Sequence, residues 1–178
     1  MGLLSNLRSV WDLILSDRDV YLYKIGGDTR LILTALTGRY STFTYMFWLR
    51  LASRRSILRP FAIIKHRHLS MKYNIHIPRT TKIGRGFLIR HGCGVVINPD
   101  TVIGDNCTIF QFLSIGASER TPATIDDNVW IGPHVSIVED VKIGNNVKIG
   151  AGTVVINDIP EGCTSVGNPN RIIHKTAK

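Results

Sequence analysis

Apolar residues recur with two different periods along this chain of 178 residues. From Leu3 to Leu15 they return at intervals of three and four, which predicts one apolar face of an α-helix. The run Gly26-Gly27 interrupts this pattern, and further helices are predicted over about 29–36 and 42–54. Residues 1–74 are therefore predicted to form a short helical region.

From Ile77 onward an aliphatic residue returns every six positions, with a two-residue slip after Val95 and a four-residue insertion after Ile115. The aliphatic series comprises Ile77, Ile83, Ile89, Val95, Ile97, Ile103, Ile109, Ile115, Ile125, Ile131, Ile137, Ile143, Ile149 and Val155. A small or β-branched residue usually follows four places later, and Cys93 and Cys107 are among these. Glycine or asparagine often occupies the turn between them.

Such hexads are typical of a left-handed parallel β-helix, in which each hexad forms one strand and one turn and three hexads close a coil. No single coil buries its apolar face, so stacked coils share one core. The predicted fold is mainly β, with a basic helical N-terminal region at 1–74, a β-helix domain at 75–160 and a C-terminal tail at 161–178. A TIM barrel or doubly wound sheet would require helices between the strands, and the spacing leaves no room for them.

The net charge of +9 is concentrated in the first segment. Residues 1–74 hold 12 Lys and Arg against 4 Asp, whereas the rest holds 10 against 9. The excess indicates an acidic partner or a solvated basic face. Because Trp11, Tyr45, Phe47 and Trp48 are interspersed with these charges, we expect peripheral contact with an anionic inner membrane face, and no nucleic acid.

The three cysteines have no CxxC spacing, which argues against a disulfide framework and against a zinc site. No signal peptide and no membrane-spanning run is evident in the sequence. We therefore expect a cytoplasmic protein without a metal cofactor.

Several motifs of the repeat region resemble the serine acetyltransferase family. They are the run Ile83-Gly84-Arg85-Gly86 ending in His91, the run Ile149-Gly150-Ala151-Gly152, and Val166-Gly167-Asn168-Pro169 followed by Arg171. The lengths and motifs look closest to the branch found in capsule, O-antigen and exopolysaccharide clusters. In the closing motif Asn170 stands where the family usually has alanine.

The resemblance implies that His91 is the general base that takes the proton of an acceptor hydroxyl as it attacks a thioester. An imidazole suits this role at neutral pH. The family places a carboxylate fifteen residues earlier to orient the histidine, and here that position is His76. We expect His76 to take over this orienting role, with Asp100, Glu119 or a backbone carbonyl as the alternatives.

The same resemblance implies an altered acceptor site. The residue before the catalytic histidine, usually an aspartate that binds the serine amino group, is Arg90, and a second active-site histidine is replaced by Thr121. Arg90 and Arg120 are expected to bind an anionic acceptor, while Asp19 matches an early family aspartate weakly. We therefore expect O-acetylation of a sugar or surface polysaccharide hydroxyl, with serine acetylation as the alternative.

Acetyl-CoA is the implied acetyl donor, held in a groove between two subunits of a homotrimer. The residues expected along that groove are Gly116, Ala117, Gly132, Pro133, Lys142, Gly150, Ala151 and Arg171. Two other classes remain open at this stage. A γ-type carbonic anhydrase shares the fold but needs zinc histidines whose spacing is absent here, and a non-catalytic membrane- or nucleic-acid-binding scaffold leaves the His91 segment unexplained.

Overall fold

The computed structural model describes residues 3–26, 31–38 and 40–173, and within them four helices precede fifteen short strands. The helices are α1 (Leu3–Ile25), α2 (Leu31–Thr37), α3 (Ser41–Ser53) and α4 (Arg59–Tyr73). The helical region predicted from the sequence is thus confirmed.

Helix α3 is the centre of the helical region, because every residue from Phe43 to Ala52 is buried. Helices α1, α2 and α4 all pack against it, as a helix that is buried on all sides requires. The Phe47 ring lies edge to face with Trp48 at 5.3 Å and with Trp11 at 6.2 Å. The expectation that these aromatic residues, with Tyr45, face a membrane is wrong, since they fill or cover the core.

Helix α4 is a regular helix of 15 residues with recognisable ends. Pro60 stands in its first turn, where a missing N–H costs no hydrogen bond. Asn74 ends it in the left-handed conformation, with its N–H bonded to the carbonyl of Ser70. The chain enters the first strand directly afterwards, so α4 is fixed against the first coil.

The strands form three sheets of stacked parallel strands, with five, four and six strands. Successive coils add one strand to each sheet, except that the fifth coil adds only the isolated bridge Ile143–Ile159 to sheet B. Sheet A contains β1 (Ile75–His76), β4 (Val95–Ile97), β7 (Ser114–Ile115), β10 (Ser136–Ile137) and β13 (Val154–Val155). Sheet B contains β2 (Lys82–Ile83), β5 (Val102–Ile103), β8 (Thr124–Ile125) and β11 (Lys142–Ile143). Sheet C contains β3 (Leu88–Ile89), β6 (Thr108–Ile109), β9 (Trp130–Ile131), β12 (Lys148–Ile149), β14 (Thr164–Val166) and the antiparallel β15 (Arg171–Ile173). This is the left-handed β-helix that the hexads predict.

The strand register locates both irregularities of the repeat. Ile89 pairs with Ile109, twenty residues on, where three hexads would give eighteen. The two extra residues fall in the corner from 90 to 94, between sheets C and A. Ile115 pairs with Ile137, twenty-two residues on, so the four extra residues fall in the corner from 116 to 123, between sheets A and B. Both insertions enlarge a corner without disturbing the sheets.

The core follows the hexad positions, with two exceptions. The hexad aliphatic residues are buried, apart from Ile83, which is partly buried, and small residues four places later such as Cys107 are buried with them. Cys93 was expected to point inward but is exposed. The two-residue insertion shifts it out of the hexad register, and Cys163 is the second buried cysteine instead.

A buried ion pair joins the helices to the first coil. Arg50 of α3 donates from Nε to Asp17 Oδ2 of α1 at 2.8 Å and from Nη1 to the carbonyl of Ile83 at 2.7 Å. Asp17 Oδ1 also accepts the N–H of Phe87 at 2.9 Å. Burial raises the pKa of the Asp17 carboxyl, and the guanidinium and this N–H oppose that shift. One pair thus ties two helices to sheet B.

The chain beyond residue 160 still contributes β14 and β15 to sheet C. The division of the chain at residues 74 and 160 stays a prediction. None of the helices within the described ranges combines the length and the hydropathy that a bilayer span requires.

Candidate functional site

His91 lies in the enlarged corner between sheets C and A of the first coil. Its backbone has a positive φ of 35°, an uncommon conformation for a residue other than glycine. Its ring is 6.2 Å from the ring of Phe110, and the Arg90 guanidinium lies 5.7 Å from that same ring. The insertion therefore presents His91 at the surface with one face against an aromatic side chain.

A small cavity of about 220 Å³ adjoins this corner. Ile25 at the end of α1 and Ser41 and Thr42 at the start of α3 line it together with Arg90 and His91. It therefore combines an imidazole, a cation and two hydroxyl groups beside the amino end of a helix, where partial positive charge accumulates. Such a pocket suits a small acceptor that carries a hydroxyl and an anionic group.

Sequence reasoning missed Ser41 and Thr42, because they lie fifty residues from His91 in the chain and belong to no motif. Only the packing of α3 brings them to this corner. Helix α3 lies close to the backbone at Gly92, because a Cβ added there would be 2.6 Å from side-chain atoms of Thr42 and of Ile75.

His76 is not brought into contact with His91. It lies on β1 of sheet A with an exposed side chain, and its Nε2 is 3.3 Å from Asn74 Oδ1. It lines a different cavity, together with His66 and Ser70. Within the described chain no hydrogen bond links the two imidazoles, so the geometry gives His76 no orienting role.

Two aromatic residues extend the His91 corner along the β-helix. Phe112 and His134 occupy the equivalent corners of the next two coils, each with a positive φ, and their rings stack at 4.5 Å. Phe112 is 46% exposed. Its backbone has a conformation that favours glycine, although the residue carries a bulky side chain. Strain of this kind is retained most often at functional sites. The sequence contained one signal for this feature. An aromatic residue stands at a hexad position that glycine or asparagine normally occupies.

The residues expected to hold coenzyme A are distributed over several faces of one chain. Gly132-Pro133 and Gly150-Ala151 lie in later coils, along the same edge of the β-helix as His91. Gly132 is so close to the next coil that an added Cβ would lie 2.9 Å from the backbone nitrogen of Ala151. Gly116 and Ala117 lie in the other enlarged corner, beside a cavity that Val138 and Glu139 also line. Lys142 is exposed on sheet B and Arg171 on sheet C. One chain alone does not assemble them into a single groove.

Glu139 holds the second enlarged corner in shape. Its Oε2 accepts the N–H groups of Ser118, Glu119 and Arg120 at 2.8, 3.0 and 3.1 Å. These bonds lower the pKa of the Glu139 carboxyl.

The two remaining acceptor candidates do not line the His91 cavity. Asp19 is exposed on α1 and pairs with its neighbour Arg18 at 2.6 Å. Arg120 is exposed in the corner from 116 to 123, with its Nη1 3.7 Å from Asp140 Oδ2. Among the described residues, no three His, Cys, Asp or Glu side chains are grouped so that they would hold a metal ion.

Residues 122–157 of this left-handed β-helix match the family model described as bacterial transferase hexapeptide (six repeats). The chain belongs to the serine acetyltransferase family. It is 32% identical over 147 residues to a serine acetyltransferase of Staphylococcus aureus (strain Mu50), covering 80% of this chain and 68% of that protein.

Two further comparisons agree with this assignment. A serine acetyltransferase of Synechococcus elongatus is 38% identical over 114 residues, which are 61% of this chain and 47% of that protein. The soybean serine acetyltransferase structure complexed with serine aligns with a TM-score of 0.77 at 28% identity, covering 93% of this chain and 70% of that one. The chain spans about half the length of the first of these curated relatives.

The expectation of a sugar or polysaccharide acceptor is therefore wrong. The relatives are serine acetyltransferases, and one structural neighbour was solved with serine. The prediction gave too much weight to Arg90 and Thr121, two substitutions at the acceptor site, and too little to the motifs shared along the repeat. The comparisons do not single out the capsule and O-antigen branch.

Proposed function

We propose that this protein transfers the acetyl group of acetyl-CoA to the hydroxyl of L-serine. The observation that carries the proposal is the cavity in which His91, Arg90 and the amino end of α3 meet, in a chain of the serine acetyltransferase family.

In the proposed reaction, serine and acetyl-CoA are bound together. His91 takes the proton of the serine hydroxyl as its oxygen attacks the thioester carbonyl carbon. The carbon–sulfur bond then breaks, and the thiolate of coenzyme A takes a proton as it leaves. Because the thioester is already activated, no covalent enzyme intermediate is needed, and the protein contributes mainly by holding the two substrates in position.

Arg90 is the residue that needs a different role from the one expected. A cation before the catalytic histidine does not suit the serine ammonium, but it suits the serine carboxylate as a charge-assisted partner. The positive end of α3 adds to this attraction. We propose that the hydroxyls of Ser41 and Thr42, which lie at that same end of α3, donate hydrogen bonds to the serine carboxylate.

The test is to incubate the full chain with acetyl-CoA and L-serine, and to measure thiol release and O-acetylserine by mass spectrometry. D-serine, L-alanine and glycerol serve as acceptors that lack the correct configuration, the hydroxyl or the charged groups. We expect turnover with L-serine alone. Equal turnover with glycerol would contradict the proposed role of the Arg90 pocket.

We also propose that the protein is a homotrimer whose coenzyme A groove lies between subunits. Two observations support this. The candidate coenzyme A residues lie on separate faces of one chain, and the side chains of Val96, Val138 and Ile156 are exposed on or beside sheet A. Light scattering of the active protein should give three times the mass of the chain, and an active monomer would contradict the proposal.

The membrane contact expected from the basic charge requires a different set of residues. Ile57, Leu58, Phe61 and Ile64 are exposed at the start of α4, next to Arg55. We propose that this face contacts anionic lipid in the cytoplasm, since it combines apolar and cationic groups. In vesicle flotation, binding should require phosphatidylglycerol and be lost in Phe61→Asp together with Ile64→Asp. Negligible binding to both neutral and anionic vesicles would contradict this proposal.

A further inference from the structure

A cleft of about 620 Å³ lies where the helices meet sheet B, away from the His91 corner. Five basic residues line it, namely Arg50, Arg54, Arg59, Arg79 and Lys82, and we call it the basic cleft. They come from the end of α3, the start of α4 and the corner that leads into β2. None of the described residues that line it is acidic.

Only Arg50 has its charge neutralised nearby. It is 4% exposed and bonded to Asp17, which fixes one wall of the basic cleft. Within the described chain, no carboxylate lies within ion-pairing distance of Arg54, Arg59, Arg79 or Lys82. Asp100, at the corresponding corner of the next coil, does not line the basic cleft. Four like charges around one concave space repel each other, and an anion bound there would relieve that repulsion.

The lining also shows which anion would fit. Arginine presents a planar fork of N–H donors that matches the oxygen atoms of a phosphate group. Thr80 adds an exposed hydroxyl group to the same wall, whereas the buried hydroxyl of Thr81 donates to the carbonyl of Asn98. A volume of about 620 Å³ lies in the range of sites for whole small ligands and is larger than one phosphate ion needs.

We propose that the basic cleft binds a small organic molecule through a phosphate or diphosphate group. The site is separate from the one proposed for acetyl transfer. Its residues come from the end of α3, the start of α4 and sheet B, whereas the acceptor cavity lies at the start of α3 and at the corner between sheets C and A. The candidate coenzyme A residues lie in later coils. The bound ligand would bridge the two helices and sheet B at the place where the Asp17–Arg50 pair already joins them.

The first measurement is isothermal titration calorimetry of the full chain with inorganic pyrophosphate at low ionic strength. We expect one pyrophosphate per chain for the wild type. Arg54→Ala and Arg79→Ala should each weaken binding by about tenfold or more, as the loss of a charge-assisted hydrogen bond predicts. Circular dichroism and thermal melting of each variant establish that it is folded.

Arg55→Ala is the matched control. It removes the same charge from the neighbouring residue, which lines a different cavity. We expect it to change affinity by less than about twofold, as for a remote surface charge. An equal loss in Arg54→Ala and Arg55→Ala would show general charge attraction and overturn the proposal, as would the absence of binding to the wild type.

Two further arms identify the source of the phosphate. Arg54→Ala and Arg79→Ala should leave the affinity for coenzyme A within about twofold of that of the wild type, and an equal loss of affinity for coenzyme A and for pyrophosphate would overturn the claim of a separate site. Vesicles of phosphatidylcholine with and without phosphatidic acid test a lipid headgroup. If free pyrophosphate binds in the absence of lipid, the site is assigned to a soluble ligand. If the protein binds only to vesicles that contain phosphatidic acid, that assignment is overturned. Because none of these measurements uses acetyl transfer, their outcome is independent of the proposed enzymatic function.

Discussion

At the scale of single residues, Asn170 shows how a departure from a family motif can be structural. Its buried side chain accepts the N–H groups of Ile156 and Asn157 at 3.0 and 3.2 Å and donates to Ser165 Oγ at 3.3 Å. It therefore connects the corner after β13 to the turn before β15. Alanine, the usual residue of the family at this place, would leave these groups without partners.

We predict that Asn170→Ala lowers the free energy of unfolding by about 2 kcal/mol, because three buried hydrogen bonds are lost at once. Urea denaturation followed by circular dichroism measures this. Asn157→Ala is the control, since its exposed side chain makes none of these three bonds, and it should change stability by less than about 0.5 kcal/mol. Equal stability of Asn170→Ala and the wild type would contradict the structural role.

At the scale of elements, the two insertions form enlarged corners, while the regular hexads form the stacked sheets. The corner from 116 to 123 is held by one carboxylate, since Glu139 accepts three consecutive N–H groups. We predict that Glu139→Ala makes trypsin cleavage after Arg120 about tenfold faster, because the loss of these bonds favours local opening by about 1.4 kcal/mol. Glu139→Gln retains an acceptor oxygen and should lie between the two. Unchanged cleavage in Glu139→Ala would contradict this account of the corner.

The packing of α4 on α3 and β1 gives a second prediction at this scale. Burial lowers the pKa of His66 to about 4, and its Nε2 lies 2.9 Å from the Tyr45 hydroxyl. Above pH 6.5 the imidazole is neutral in both states and this effect vanishes. As the pH falls from 6.5 to 4, the unfolded chain binds a proton that the folded chain does not, so stability is lost.

His66 lowers the free energy of unfolding by at most about 3 kcal/mol, a loss that is reached near pH 4. Urea denaturation between pH 7 and pH 4 should therefore show a shallower decline for His66→Gln than for the wild type. His68→Gln, on the exposed side of the same helix, should follow the wild type. Parallel curves for the wild type and His66→Gln would contradict the assignment.

At the scale of the whole molecule, the fold could be predicted from the sequence because the hexad period is repeated more than a dozen times. Both insertions were also visible as breaks in that period. The candidate acceptor pocket could not be predicted, since Ser41 and Thr42 line the same cavity as His91 only because α3 packs on the first coil. The buried positions of Tyr45, Phe47 and Trp48 depend on the same packing, and apolar periodicity alone does not distinguish a buried helix from an interfacial one.

The acceptor was predicted wrongly, as the serine acetyltransferase relatives indicate, and the error has a physical reason. A change from an acidic to a basic residue was interpreted as a change of substrate. A serine molecule carries both charges, so Arg90 at the other end of the same substrate is compatible with serine. A single charged residue in a site therefore indicates which charged group of a zwitterion it contacts. It is a less reliable guide to which molecule is bound.

The most direct test of the central claim is the steady-state rate of serine acetylation by the wild type and by His91→Ala. We predict that kcat falls by about 10² to 10⁴, the usual contribution of a general base, while the affinity for coenzyme A measured by calorimetry stays within about twofold. His76→Ala, which leaves the His91 cavity intact, serves as the control and should keep most of the activity. A His91→Ala protein that acetylates serine at the wild-type rate would contradict the account.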